Sequence, residues 1–267
     1  MVICITKGKQ LFSCFLVFII LIIGVCTYAS VKANSDTKEI AVPILMYHSI
    51  LKDPQRSGKY VVTPTTLEND MIYLKNHGYE TIFVKDLIAY VYEDVPLPEK
   101  PIILSFDDGH YNNVTYLLPL LEKYQMKAVI SVVGSYTEQF SKEDSHNPNY
   151  SYLTWEDIHQ LESSGQIEIA NHTYHFHEKT SRKGCSIAMG EPTIEYQQIL
   201  KNDLMKLQIA LKDCSHIKPP VTFTYPFGYI CPESQKPVEE AGFLASLSCY
   251  EWNSGSSGRC RLCDMGL

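Results

Sequence analysis

Pro101-Ile102-Ile103-Leu104-Ser105-Phe106-Asp107-Asp108-Gly109-His110 is a strongly apolar run closed by two adjacent carboxylates and a glycine. Its length and composition read as a buried strand ending in a turn. Neighbouring side chains on a strand point to opposite faces, so Asp107 and Asp108 can share a site only if the chain turns at Gly109, where no Cβ stands in the way. Two carboxylates brought together repel, and a bound cation is the usual remedy. A solvated Asp-Asp-Gly turn is the other reading of the same residues.

Upstream, residues 43–47 form a second short apolar run suited to a buried strand. Thr65-Thr66-Leu67-Glu68 has the capping-box pattern, in which the Thr65 hydroxyl and the Glu68 carboxylate satisfy each other's backbone donors. It predicts a helix with Leu67, Met71 and Leu74 on one face, stopped by Gly78. Residues 81–84 then read as a strand and 86–92 as a helix. Downstream of Gly109 the spacing predicts a helix over 113–124, a strand over 128–133, and a helix capped by Thr154 and Asp157 that ends at Gly165. A strand over 167–170, a long helix over 194–211, a strand over 221–224, and a last helix and strand within 233–247 complete the series. Strands alternating with helices in this way argue a parallel sheet with helices outside. About seven such units in a single domain give an α/β fold, a distorted (β/α) barrel.

Of the 267 residues, 45% are apolar and 20% charged, enough for one well-buried domain. Lys7 and Lys9 precede an uncharged apolar run over residues 11–28, about long enough to cross the hydrocarbon core of a bilayer. A positive flank before an apolar core also describes a cleavable signal peptide, and Thr27-Tyr28-Ala29 and Val31-Lys32-Ala33 offer small residues near a cut. Residues 1–33 are therefore expected to be a signal peptide or a membrane anchor, 34–39 a linker, 40–250 the domain, and 251–267 an atypical tail. Either reading exports the domain. Beyond Ala33, 20 basic residues face 30 acidic ones, a net charge of −10, which argues against a nucleic-acid partner. Six of the nine cysteines lie beyond the leader at irregular spacing, so no disulfide framework follows. A lone Cys260-x-x-Cys263 is a weak metal or redox signal.

In a β/α barrel, functional side chains gather where strands end. Besides the two aspartates, two more strand ends stand out. In Asn171-His172-Thr173-Tyr174-His175-Phe176-His177, three imidazoles crowd directly after an apolar strand, and imidazole is a common ligand of borderline-soft metals. One carboxylate with two imidazoles leaves coordination positions open, which suits a catalytic cation. In Thr222-Phe223-Thr224-Tyr225-Pro226-Phe227-Gly228 a strand runs into a tight bend, where the backbone N–H of Tyr225 could meet a developing oxyanion. The alternative is an ordinary strand-end turn.

Together these residues resemble the polysaccharide deacetylase family (the NodB-like domain, carbohydrate esterase family 4), over roughly residues 40–248. Ser105-Phe106-Asp107-Asp108-Gly109 looks like the family's first motif, and His172-Thr173 with His177 its second. The five-residue histidine spacing and the opening Pro43-Ile44-Leu45-Met46-Tyr47-His48 are similar to the branch of poly-N-acetylglucosamine deacetylases. The resemblance implies that Asp108, His172 and His177 hold a divalent cation, zinc in the isolated protein, with His175 the rival ligand. It implies that Asp107 takes the proton of the attacking water while the Tyr225 amide helps hold the oxyanion. The implied substrate is an N-acetylated polysaccharide, peptidoglycan or poly-N-acetylglucosamine, met outside the cytoplasm with the membrane as a partner through the N-terminal segment. Two departures stand out. Thr224 occupies the position of the family's arginine, which orients the aspartate, and no histidine follows His216 to act as the late general acid. The tail also offers no apolar run longer than two residues, so a barrel lacking its closing strand is expected. A carbohydrate-binding pseudoenzyme is the rival reading. A phosphotransferase with an aspartate nucleophile is disfavoured, because it would need Asp-x-Asp rather than adjacent carboxylates.

Overall fold

The strand over Pro101–Phe106 stands at a junction of a seven-stranded, all-parallel sheet in the computed structural model, which describes residues 40–178 and 182–249. In chain order the strands are β1 (Ile44–Tyr47), β2 (Ser49–Ile50), β3 (Val61–Val62), β4 (Glu80–Thr81), β5 (Pro101–Phe106), β6 (Ala128–Val132), β7 (Ile167–Asn171), β8 (Thr222–Thr224) and β9 (Ala245–Leu247). The main sheet runs β1-β5-β6-β7-β8-β9, with β4 paired to the first two residues of β5, and β2 and β3 form a small pair of their own. The helices are α1 (Pro64–Asn76), α2 (Val84–Glu93), α3 (Leu118–Tyr124), α4 (Gly134–Glu143), α5 (Trp155–Ser163), α6 (Thr193–Cys214) and α7 (Pro232–Glu240). The result is a curled, single-domain β/α half-barrel whose path ends at β1 and β9, which share no ladder among the described residues. The readings for residues 1–33, 34–39 and 251–267 lie outside the described residues.

Every residue of β5, β6 and β7 is buried, as expected of a parallel sheet covered on both faces. Alternation divides their side chains. Ile102, Leu104, Phe106, Ile130, Val132, Ile167 and Ile169 join one core with Leu67, Met71 and Leu74 of α1. Ile103, Val129, Ala170 and Ala245 face the other way and pack with Leu87 and Ile88 of α2. Further along that second face the alternation places Ser105 on β5 with Asp107 just past it, Ser131 on β6, His172 just past β7 and Thr224 on β8. The inner face thus turns from apolar to polar toward the carboxyl ends of the strands, where such folds build their sites.

Local chemistry explains where the elements depart from expectation. Helix α1 begins with Pro64, not Thr65, and its cap is Thr63, whose hydroxyl accepts the Thr66 N–H at 3.0 Å. Proline supplies a helical φ and lacks an N–H that would go unpaired there, so it draws the start forward. Glu68, released from the expected capping box, bonds Lys123 and Tyr124 instead. The strand expected over 81–84 ends at Thr81, because Val84 opens α2 with the Asp86 carboxylate on the Phe83 N–H. The helix expected over 113–124 begins with a wide π turn at Asn113–Leu117. Pro119 lies in the next turn and cannot close a regular i−4 bond. The Thr154 and Asp157 capping box forms as read. Helix α4 was not foreseen.

Candidate active site

At the end of β5, the Asp107 N–H still bonds Tyr47 of β1 at 3.0 Å. The chain then leaves the sheet through two successive left-handed residues, Asp108 at φ 73° and Gly109 at φ 70°. That turn brings the second carboxylate round to the site, and a Cβ at Gly109 would stand 3.1 Å from the Val132 side chain. A left-handed conformation is uncommon for a residue with a side chain and is held only where the surroundings over-determine it.

At the end of β7, the His172 N–H bonds Val132 and its Nδ1 lies 2.7 Å from the Thr224 carbonyl of β8. A carbonyl can only accept, so Nδ1 carries the proton and Nε2 is left as the open lone pair. His172 Nε2 lies 3.6 Å and His177 Nε2 3.0 Å from Asp108 Oδ1, and His110 Nε2 lies 3.6 Å from Oδ2. One ligand atom from each of Asp108, His172 and His177 lies within 4.8 Å of the others. Asp108 Oδ1 is itself buried and makes no hydrogen bond among the described residues. A buried carboxylate oxygen faced by two imidazole nitrogens fits a divalent cation, which would satisfy all three at once. Burial alone would raise the Asp108 carboxyl. The imidazoles of His110, His172 and His177 outweigh it and hold that carboxyl far below the usual range.

Asp107 is buried beside this trio, its Oδ1 accepting from the Ser105 hydroxyl at 3.3 Å. Thr224, in the place of the family's arginine, pairs its hydroxyl with Ser131 at 2.8 Å. His175 lies apart, its side chain half exposed and 3.6 Å from Glu178, so the rival imidazole is not gathered into the cluster.

Tyr225 requires a correction. Its N–H, expected to face the oxyanion, donates to the Leu247 carbonyl at 2.9 Å. The amide is consumed by the β8–β9 ladder, a partner that the sequence of β8 alone does not reveal. Its buried ring packs on Phe223, and its hydroxyl accepts from Ser234. In the turn that follows, Gly228 and Tyr229 also donate internally. Phe227, at φ 57° with its ring stacked 4.7 Å from that of His177, has no N–H partner among the described residues.

Several further groups gather here that sequence reasoning left without a role. His48, just past β1, is held below the usual imidazole pKa by burial, with Asp107 and Asp108 pulling the other way. The ring of His110 stacks on Tyr152 at 4.8 Å, Tyr152 packs on Tyr136 at 4.6 Å, and Tyr136 meets His177 at 5.8 Å. An aromatic wall therefore rises beside the cluster, with Tyr136 from the unforeseen α4 and Tyr152 from the segment before α5.

A family model described as polysaccharide deacetylase matches residues 94–246. Among curated relatives, the chain is 24% identical to the poly-beta-1,6-N-acetyl-D-glucosamine N-deacetylase of Escherichia coli strain K12 over 69% of its own length. It is 29% identical to the putative polysaccharide deacetylase YxkH of Bacillus subtilis over 81% of its length. The chain spans 30% of the first relative and 66% of the second. Among solved structures, the de-N-acetylase of Aggregatibacter actinomycetemcomitans superposes with a TM-score of 0.69 at 22% identity, covering 78% of this chain and 87% of that one. IcaB of Ammonifex degensii gives 0.65 at 21%, covering 79% and 84%. These likenesses establish the same fold, and with more than half of its residues matched by the family model, this chain belongs to the polysaccharide deacetylase family.

Proposed function

We propose that this chain is an extracytoplasmic, metal-dependent N-deacetylase acting on a polysaccharide that contains N-acetylglucosamine. The observation that carries the reading is the convergence of Asp108, His172 and His177 beside a buried Asp107. Asp108, His172 and His177 would hold the cation, zinc in the isolated protein. A divalent cation bound there acidifies water and polarises the amide carbonyl. Asp107 accepts the proton of the attacking water, its carboxylate oriented by the Ser105 hydroxyl. The Phe227 N–H, in place of that of Tyr225, donates to the developing oxyanion. Tyr136, Tyr152 and Phe227 offer faces on which sugar rings can pack. The charge-free run after Lys7 and Lys9 supports export, with the membrane reached through that segment.

The polymer of the E. coli relative makes poly-β-1,6-N-acetylglucosamine the first substrate to try, with peptidoglycan and chitooligosaccharides beside it. Acetate release is expected from at least one of them, lost on chelation and restored by zinc. No release from any polymer under metal-loaded conditions would favour the second reading, a carbohydrate-binding pseudoenzyme. Thr224 supports that alternative, since it leaves Asp107 without the guanidinium that orients it in the family.

A further inference from the structure

The loop that presents both histidines is gripped from two sides. At the start of α4, the N–H groups of Gly134 and Ser135 donate to the carbonyls of Thr173 and Tyr174 at 3.0 and 2.9 Å. From α6, Asp203 accepts the N–H of Tyr174 on one carboxylate oxygen at 2.7 Å and that of His175 on the other at 2.8 Å. Asp203 is only 9% exposed, and a carboxylate is costly to bury unless its bonds return the loss.

The loop needs the grip. Thr173, directly after His172, sits at φ 72°. A β-branched residue in the left-handed region is strained and persists only where its surroundings hold it. Asn171 supports it from the sheet side, accepting the Thr173 N–H at 2.8 Å. The Lys206 ammonium, one turn on from Asp203, lies 3.7 Å from the Tyr174 ring centre. His172 is fixed independently by Val132 and Thr224. Release of the loop would therefore fall first on His177, which follows the residues that Asp203 holds and is otherwise held by the Tyr136 hydroxyl and the Phe227 ring.

We propose that Asp203 is a positioning residue of the metal centre, whose carboxylate clamps the amides of Tyr174 and His175 and so keeps His177 aimed at Asp108. The proposal rests on reading Asp108, His172 and His177 as the ligand set. It is tested on the full chain with Asp203→Asn and Asp203→Ala, by zinc affinity against a chromophoric chelator, thermal unfolding and circular dichroism. Gln208→Ala is the control, because Gln208 is buried on the same helix and bonds Pro220 rather than the loop. Asp203→Asn keeps the shape but presents a donor to one of the two amides. It should weaken zinc binding by about tenfold or more, while Gln208→Ala lowers the melting temperature and leaves zinc affinity unchanged. If Asp203→Ala fails to fold, the near-isosteric Asn variant carries the test. Equal zinc affinity in the parent and Asp203→Asn, or an equal loss in Gln208→Ala, overturns the clamp. A parent chain that binds no zinc overturns the ligand set and the clamp with it.

Discussion

The centre of the sheet and its β8–β9 end are built to different standards. β6 and β7 pair over five residues, from Ala128 with Ile167 to Val132 with Asn171, whereas β7 and β8 share a single pair, Asn171 with Phe223. β9 then continues the path with three pairs to β8. The histidines follow β7 of the deeply paired centre and the aspartates follow β5, which pairs with β1 over four residues and β6 over two, while Thr224, Tyr225 and Phe227 lie past the single-pair seam. Thr224, the departure from the family's arginine, falls at that end. A cluster of ligands needs atoms fixed to fractions of an ångström. A strand end that contributes a backbone donor and a wall can be held more loosely.

Breaking the centre should have the largest effect. Asp108→Ala, His172→Ala and His177→Ala are each expected to abolish zinc binding and acetate release together, and His175→Ala to leave the metal in place. Metal content of the purified variants decides this. Zinc retained in His177→Ala but lost in His175→Ala would exchange the two imidazoles. Next in size comes Asp107→Asn, which should keep the metal and lose turnover by roughly 10²–10⁴. An Asn variant as active as the parent would remove Asp107 from the chemistry.

The same contrast explains what could be read from the sequence. β5 was legible to the residue because its apolar run is unbroken and ends in charge. The carboxylate and the crowd of imidazoles were legible at strand ends, but the choice of His177 over His175 came only from the family resemblance, since both follow the same strand. Helix α4 was not, since it buries only Gly134 and Thr137 and so shows no apolar stripe. With α4 went Tyr136 and the loop-gripping amides of Gly134 and Ser135. Tyr225 misled for another reason. Whether a backbone N–H is free depends on the neighbouring strand, and the Leu247 carbonyl that takes it lies 22 positions further along the chain.

Stability measurements sharpen the comparison at smaller magnitude. Leu104 of β5 is fully buried in the larger core, and Leu104→Ala should cost about 2–5 kcal/mol in denaturant unfolding. Leu247 of β9 only packs at the margin of the second core, so Leu247→Ala should cost less than about 2 kcal/mol by the same reasoning. Equal losses would mean that the β9 end is as firmly held as the centre.

The seam between the centre and the β8–β9 end offers the finest test. Glu168 of β7 is buried on the inner face, where one carboxylate oxygen accepts the Thr222 hydroxyl of β8 at 3.1 Å and the other the Lys85 N–H at the start of α2 at 3.1 Å. It thus supplements the single β7–β8 pair with a side-chain bond. Burial raises its pKa, and the bonds from Lys85 and Thr222 offset that only in part. A raised folded-state pKa means that the folded chain holds this proton more tightly than the unfolded one. The contribution to stability is then fully present below the ordinary glutamate value and is lost as pH rises through the folded value. Glu168→Gln has no proton to lose, so the stability of the variant minus that of the parent should rise as pH climbs from about 4 toward neutrality. Denaturant unfolding of both proteins across that range measures the difference. Parallel curves would mean that Glu168 titrates alike in the folded and unfolded chain.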